Sequence, residues 1–318
     1  MPNSGKTKIV FFGNERLATG VSTAAPTLQK LLSAGYDVAA VVSHHSESNS
    51  RKQRQLEIGQ IAEVHGIPLL LPAKPAEASD QLREYDAEIG VLIAYGKIVP
   101  QSVIDIFPRG IVNIHPSLLP LHRGPTPLES VILDGTTETG VSIMQLVKAM
   151  DAGGVYGTVR RTLTGHELKQ ELADQMLNLG GDLLLELLPE ITDGSLQPTP
   201  QDDSAATYDS LITKADGVLD FHKPAVQLER EVRAYAGWPG SRTLLGERDI
   251  VVTAAHVLPE ATDGQPGSLW REGKRFGFYT GDGLGKASGG VLVIDSLKPA
   301  GKADMSAEAF LAGLRGQL

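Results

Sequence analysis

Up to Ile191 the chain alternates short runs of apolar and β-branched residues with longer amphipathic stretches. KIVFFG (8–13), YDVAAVVSH (36–44), IPLLLP, AEIGVLIAYG (87–96), GIVNIHPSLLP and GVSIMQL (140–146) read as strands. APTLQKLLSAG (25–35), RQLEIGQIAEVHG (54–66) and the long ELKQELADQMLNLGGDLLLELLPEI (167–191) carry apolar residues at helical spacing. Two strands can run parallel only if the chain crosses back between them, and a helix is the usual crossover. The order therefore predicts an α/β fold built from right-handed βαβ units, with a twisted, mostly parallel sheet of the Rossmann-like kind.

From residue 193 the texture changes. Residues 193–207, ending the stretch TDGSLQPTPQDDSAAT, are polar, carry prolines and show no period, which is the composition of a linker. After a helix-like PAVQLEREVRAY (224–235) come RDIVVTAAHVL, RFGFYT and GGVLVIDSL, short apolar runs separated by Gly and Asp turns. That pattern predicts a small antiparallel barrel or sandwich. The domain reading is residues 1–192, a linker over 193–207, and a second domain over 208–318.

Composition narrows the chemistry. The 318 residues include no cysteine, which excludes disulfides, thiolate nucleophiles and Cys-ligated zinc, and fits a reducing compartment. No Ser stands in a Gly-x-Ser-x-Gly elbow. A covalent acyl-enzyme is therefore disfavoured, and a transferred group must pass directly to an external nucleophile. The start, MPNSGKTKIVFFG, is too polar for a signal peptide, and no apolar stretch reaches membrane-spanning length. A soluble cytoplasmic protein is expected. The net charge of -9 argues against coating nucleic acid with the whole surface, yet screening confines each charge to about 10 Å, so a local basic face stays open.

In a parallel sheet, ligands bind beyond the carboxyl ends of the strands. Asn113 and His115 lie at one such end, and Asp151, in VKAMDAGG, lies just past another. An amide can donate to an oxygen that gains negative charge, an imidazole can move a proton, and a carboxylate can orient that imidazole. Pro116, Pro120, Pro125 and Pro127 stiffen the backbone around these groups. The same residue types also suit a packed histidine, a loop-capping asparagine and a turn-forming aspartate. Other candidates are weaker. His44 and His45 are adjacent, and neighbouring side chains seldom converge on one metal, so no metal site is expected. GDGLGKASGG (281–290) lacks Walker spacing and a following helix. Arg51, Lys52 and Arg54, in a loop at the ligand-bearing edge, are a candidate phosphate contact.

The stretch NIHPSLLPLHRGPTPLESVILDGTTETGVSIMQLVKAMDAGG resembles the signature of formyltransferases that use 10-formyltetrahydrofolate as formyl donor. The resemblance implies a catalytic trio of Asn113, His115 and Asp151, with Ser117, Leu118, Leu119 and Pro120 as a folate-contacting loop. Arg123 and Gly124 continue that loop without a chemical step of their own. TYDSLITKADGVLDF, QLEREVRAYAGWPGSRTLL and LVIDSLKPAGKADMSAEAFL resemble the second domain of the members that act on methionyl initiator tRNA. That domain implies an OB-like β-barrel binding tRNA, and a monomer. Lys214, Arg233, Arg242, Arg271, Lys274 and Arg275 are the basic residues expected to meet phosphates there. The sequence departs from the family pattern in two loops. FFGNERLATGVSTAAP makes a longer first strand-to-helix connection, and SHHSESNSRKQRQ is shorter than the usual basic loop.

Overall fold

A computed structural model describes residues 7–44, 56–259, 263–284 and 289–314. Arg51, Lys52, Arg54 and His45 lie outside the described residues. The chain divides into two compact units. The first takes in the chain up to Leu128, Thr137–Thr164 and Gln170–Ser210; the second takes in Glu129–Thr136, Gly165–Lys169 and Leu211 onward.

The first unit holds β1 (Lys8–Gly13), α1 (Pro26–Ala34), β2 (Asp37–Val42), α2 (Glu57–Val64), β3 (Leu69–Leu70), α3 (Ser79–Glu84) and β4 (Ile89–Ile93). It continues through α4 (Gln101–Ile104) and β5 (Ile111–His115). After α5 (Pro127–Asp134), which belongs to the second unit from Glu129 on, come β6 (Glu138–Gln145), β7 (Val155–Thr162) and α6 (Lys169–Asp193), the last in the first unit from Gln170 on. The strand order is β3-β2-β1-β4-β5-β6-β7. β1 to β5 pair in parallel, as the βαβ order requires, whereas β6 and β7 pair antiparallel. The order reverses between β1 and β4, which opens the crevice where such sheets take ligands.

Both faces of the sheet centre are covered. Ile9, Val10, Phe11 and Phe12 are each 0% exposed, so successive side chains on opposite faces are equally buried. On one face Phe12 meets Tyr95 and Phe107 edge-on, with ring centroids 5.9 and 5.8 Å apart, among Leu82, Leu92, Val103 and Ile111. On the other face Ile114 packs against α6 at Gly180, where even a single added methyl would come within 2.6 Å of it. Gly13 ends β1 at φ 129, and a Cβ there would lie 1.8 Å from the Ile93 carbonyl oxygen. Only glycine lets β1 turn away this close to β4.

The second unit holds α7 (Ala225–Ala234), β8 (Ser241–Leu245), β9 (Arg248–Leu258), β10 (Leu269–Glu272), β11 (Arg275–Tyr279), β12 (Val291–Pro299), β13 (Met305–Ser306) and α8 (Ala307–Gly313). Its sheet, β10-β11-β12-β9-β8 with β13 on β12, is antiparallel throughout. Leu228 and Val232 of α7 and Phe310 of α8 pack with Ile250, Phe276, Leu292 and Leu297 in one core. The α/β first unit and the separate antiparallel β unit are the architecture expected from the strand pattern.

Candidate active site

Asn113 and His115 stand two residues apart on β5, so the strand's period of two puts both on one face. Register fixes their height: Asn113 lies beside Leu92 of β4 and Met144 of β6, and His115 beside Ser142. Both are buried, and both line a cavity of about 630 Å³ at the carboxyl ends of β1, β4 and β5. Asp151, brought in by the loop between β6 and β7, lines the same cavity. Asn113, His115 and Asp151 thus converge in space.

His115 and Asp151 are each held by a traceable contact. Among the described residues the Asn113 carboxamide has no hydrogen-bond partner, so its N–H groups are free to serve a bound oxygen. The His115 ring sits 2.8 Å by Nε2 from the carbonyl oxygen of His122. A carbonyl only accepts, so Nε2 is the donor and Nδ1 is the nitrogen turned toward Asp151. Nδ1 lies 3.8 Å from Asp151 Oδ2, an ion-pair separation longer than a direct hydrogen bond. Asp151 Oδ2 also accepts the Gly124 N–H at 2.8 Å. Asp151 adopts φ 47, a left-handed conformation that Asp tolerates better than most residues.

The turn Ser117–Pro120 is placed differently. Ser117 is fully buried, and its hydroxyl donates to the Leu121 carbonyl at 2.6 Å. The Ser142 hydroxyl donates to the Ser117 carbonyl at 2.8 Å and accepts from the Leu119 N–H at 3.2 Å. Leu118 packs over Gly140. None of these four residues lines the cavity, whereas Pro116 just before them does. The Leu119–Pro120 bond is cis.

Several lining residues carried no motif. Asn14, Arg16 and the following loop to Val21, together with His44, Ala94, Tyr95 and Gly96, complete the cavity wall. They follow the carboxyl ends of β1, β2 and β4, and that position is the one signal in the sequence that could have found them. Arg16 is paired with Glu57 at 2.5 Å. His44 Nε2 lies 2.6 Å from the Tyr95 carbonyl oxygen, so this ring bridges the ends of two strands. Between Asn14 and Arg16, the Glu15 side chain is 0% exposed. Its carboxyl accepts the Thr27 and Leu28 N–H groups of α1 at 2.9 and 2.8 Å. Ala25 at the helix start has no side chain able to cap, and Pro26 has no N–H, so Glu15 takes the first two orphan donors from a distance. Burial nevertheless dominates and pushes the Glu15 carboxyl up to about 7, against the lowering effect of those two hydrogen bonds. Among the described residues no group of three or more His, Cys, Asp or Glu side chains gathers as a metal site.

Comparison with known proteins bears on what this arrangement does. Residues 7–188 match the formyl transferase family, and residues 211–315 match the formyl transferase C-terminal domain. The chain belongs to the formyl transferase family. It is 34% identical over 311 residues to the methionyl-tRNA formyltransferase of Chloroflexus aggregans, covering 96% of this chain and 97% of that one. It is 35% identical over 314 residues to that of a Roseiflexus species (strain RS-1), covering 97% and 93%. Among solved structures it resembles WlaRD, a sugar 3N-formyltransferase, with a TM-score of 0.66 at 14% identity over 95% of this chain and all of that one. It also resembles HypX from Aquifex aeolicus, solved with tetrahydrofolic acid, with a TM-score of 0.66 at 16% identity over 98% of this chain and 48% of that one. At such identities these two structures establish a shared fold.

Proposed function

We propose that this formyl transferase moves the formyl group of 10-formyltetrahydrofolate to the α-amine of methionyl initiator tRNA. The observation that carries the reading is the convergence of Asn113, His115 and Asp151 on one cavity at the switch point of the sheet. The acceptor rests on the full-length similarity to methionyl-tRNA formyltransferases, which extends through the C-terminal unit.

The proposed reaction is a direct acyl transfer. The neutral amine nitrogen attacks the formyl carbon, and the carbonyl electrons move onto oxygen. Asn113 donates to that oxyanion with a hydrogen bond that strengthens as charge develops. The oxyanion then collapses, the bond from carbon to N10 breaks, and N10 leaves with a proton. The amine gives up one proton and N10 gains one, so a group able to relay it suffices, and the His115–Asp151 pair is that relay. The rigid turn from Ser117 to Pro120, locked through Ser142, shapes the donor's approach from behind His115. The three reacting side chains come from one chain, so a monomer is sufficient, and the substrates place the reaction in the cytoplasm. Among the described residues no helix is long and apolar enough to cross a membrane.

The test offers purified protein 10-formyltetrahydrofolate with methionyl initiator tRNA, with a sugar-nucleotide amine, or with no acceptor, and follows release of tetrahydrofolate. Release is expected with the tRNA alone. Asn113→Ala is expected to lower turnover at least about 100-fold, the usual cost of removing one oxyanion donor, while the fold persists. Near-normal turnover in that variant would sink the mechanism.

A further inference from the structure

Asp151 is held by more than its own loop. Its carbonyl oxygen accepts the Gln201 side-chain amide at 2.8 Å, and the same nitrogen donates to the Gly153 carbonyl at 2.7 Å. The other end of the Gln201 carboxamide is equally committed. Its oxygen accepts Arg123 Nε at 3.1 Å and Arg123 Nη2 at 2.9 Å. All four contacts of the carboxamide are therefore satisfied, and the amide has one possible orientation. Turned over, it would set its N–H groups against the guanidinium and its oxygen against two carbonyls. Arg123 is itself 1% exposed and fixed at its remaining edge by Asp203 at 2.7 Å and the Tyr208 hydroxyl at 2.8 Å. The next residue, Gly124, supplies the N–H that binds the Asp151 carboxylate. The network is thus a closed ring: Arg123 to Gln201, Gln201 to the backbone of Asp151, the Asp151 side chain to Gly124, and Gly124 back to Arg123 through the chain.

We propose that Gln201 is a positioning residue for formyl transfer, clamping the left-handed backbone of Asp151 so that its carboxylate faces His115. The inference rests on the functional reading above and assigns a role in it to a segment whose composition suggests only a connector. An Asp at φ 47 between a methionine and an alanine has a competing extended or right-handed conformation within reach. Either would rotate the carboxylate out of the cavity. Gln201 opposes that rotation by holding the carbonyls of residues 151 and 153 together, and Arg123 prevents Gln201 from choosing another partner. A Glu at this position keeps the size and gains charge attraction to Arg123, but it aims an oxygen at two carbonyl oxygens and loses the clamp.

The experiment is a kinetic double-mutant cycle with 10-formyltetrahydrofolate and methionyl initiator tRNA. Gln201→Ala is expected to lower kcat about 10-fold with KM for both substrates within about twofold, because a misplaced relay costs rate and leaves binding intact. Gln201→Glu is expected to do no better, and it keeps enough bulk to carry the test if the alanine variant does not fold. In an Asp151→Ala background, adding Gln201→Ala is expected to change kcat by less than about twofold, since a clamp has nothing left to hold. Multiplying losses in the double variant, an effect confined to KM, or full activity in Gln201→Glu would each overturn the proposal while the functional reading stood. Full activity in Asp151→Ala alone would overturn the reading itself and this proposal with it.

Discussion

Glu15 offers a quantitative check on the balance between burial and helix capping. The carboxyl is 0% exposed and receives two backbone N–H groups, yet burial raises its pKa from 4.5 to about 7. A folded-state pKa above the unfolded value means that the folded protein holds the proton more tightly. Stability contributed by this group is therefore complete below 4.5, falls as pH rises toward 7, and is flat above. At about 1.4 kcal/mol per pH unit, the shift amounts to roughly 3 kcal/mol. The perturbation is Glu15→Gln, which removes the titration while keeping an acceptor oxygen. Its second acceptor is lost, a cost that is the same at every pH and cancels in the comparison. Urea denaturation at pH 5 and pH 8, followed by far-ultraviolet circular dichroism, gives the stability change of each protein across the interval. Both tryptophans, Trp238 and Trp270, lie in the second unit, so their fluorescence reports that unit separately as an internal reference. The native protein is expected to lose roughly 3 kcal/mol more than Glu15→Gln between the two pH values. A difference near zero, or greater stability of the native protein at pH 8, would refute the reasoning: the two hydrogen bonds and the helix N-terminus would then outweigh burial.

Two further substitutions test the packing that builds each unit. At Gly153 a Cβ would lie 1.8 Å from the Gln145 carbonyl oxygen, backbone against backbone, so Gly153→Ala is expected to destabilise the first unit by about 3 kcal/mol or more and to displace Asp151, read as a lowered melting temperature and lost turnover. In the second unit Lys169 Nζ lies 3.6 Å from Glu129 Oε1 and donates to the Trp238 carbonyl at 3.0 Å, and burial holds the ammonium pKa below its ordinary value despite the attraction of Glu129. Lys169→Met removes the cation beside the buried Glu129 carboxylate and is expected to cost about 3 to 5 kcal/mol, whereas Lys169→Met with Glu129→Leu costs less, a ranking that thermal unfolding of the two variants would check.

Much of the fold was legible in the sequence because periodicity reports burial directly. β1 and β4 are apolar at nearly every position since both faces of a parallel sheet are covered, and the 167–191 helix carries its apolar stripe openly. β7 was not legible. Most of its residues are exposed or half-buried, so it has no hydrophobic signature and becomes a strand only by pairing with β6. The antiparallel direction of β6 was equally hidden, because alternation in a sequence carries no sense of direction.

At the candidate site the division follows the same logic. The sequence by itself determined the chemical types and the one local relation, Asn113 and His115 two apart on a strand and hence on one face. It also showed that prolines surround them and that no cysteine or serine elbow competes. Tertiary structure alone decided what lies far along the chain. It brings Asp151 to His115, ties the Ser117 carbonyl to the Ser142 hydroxyl, and sets Gln201, in a stretch with the composition of a connector, against Asp151 and Arg123. The physical reason is range. Strand and helix periods are imposed by neighbours along the chain, while a hydrogen bond between residues 50 apart leaves no trace in either neighbourhood.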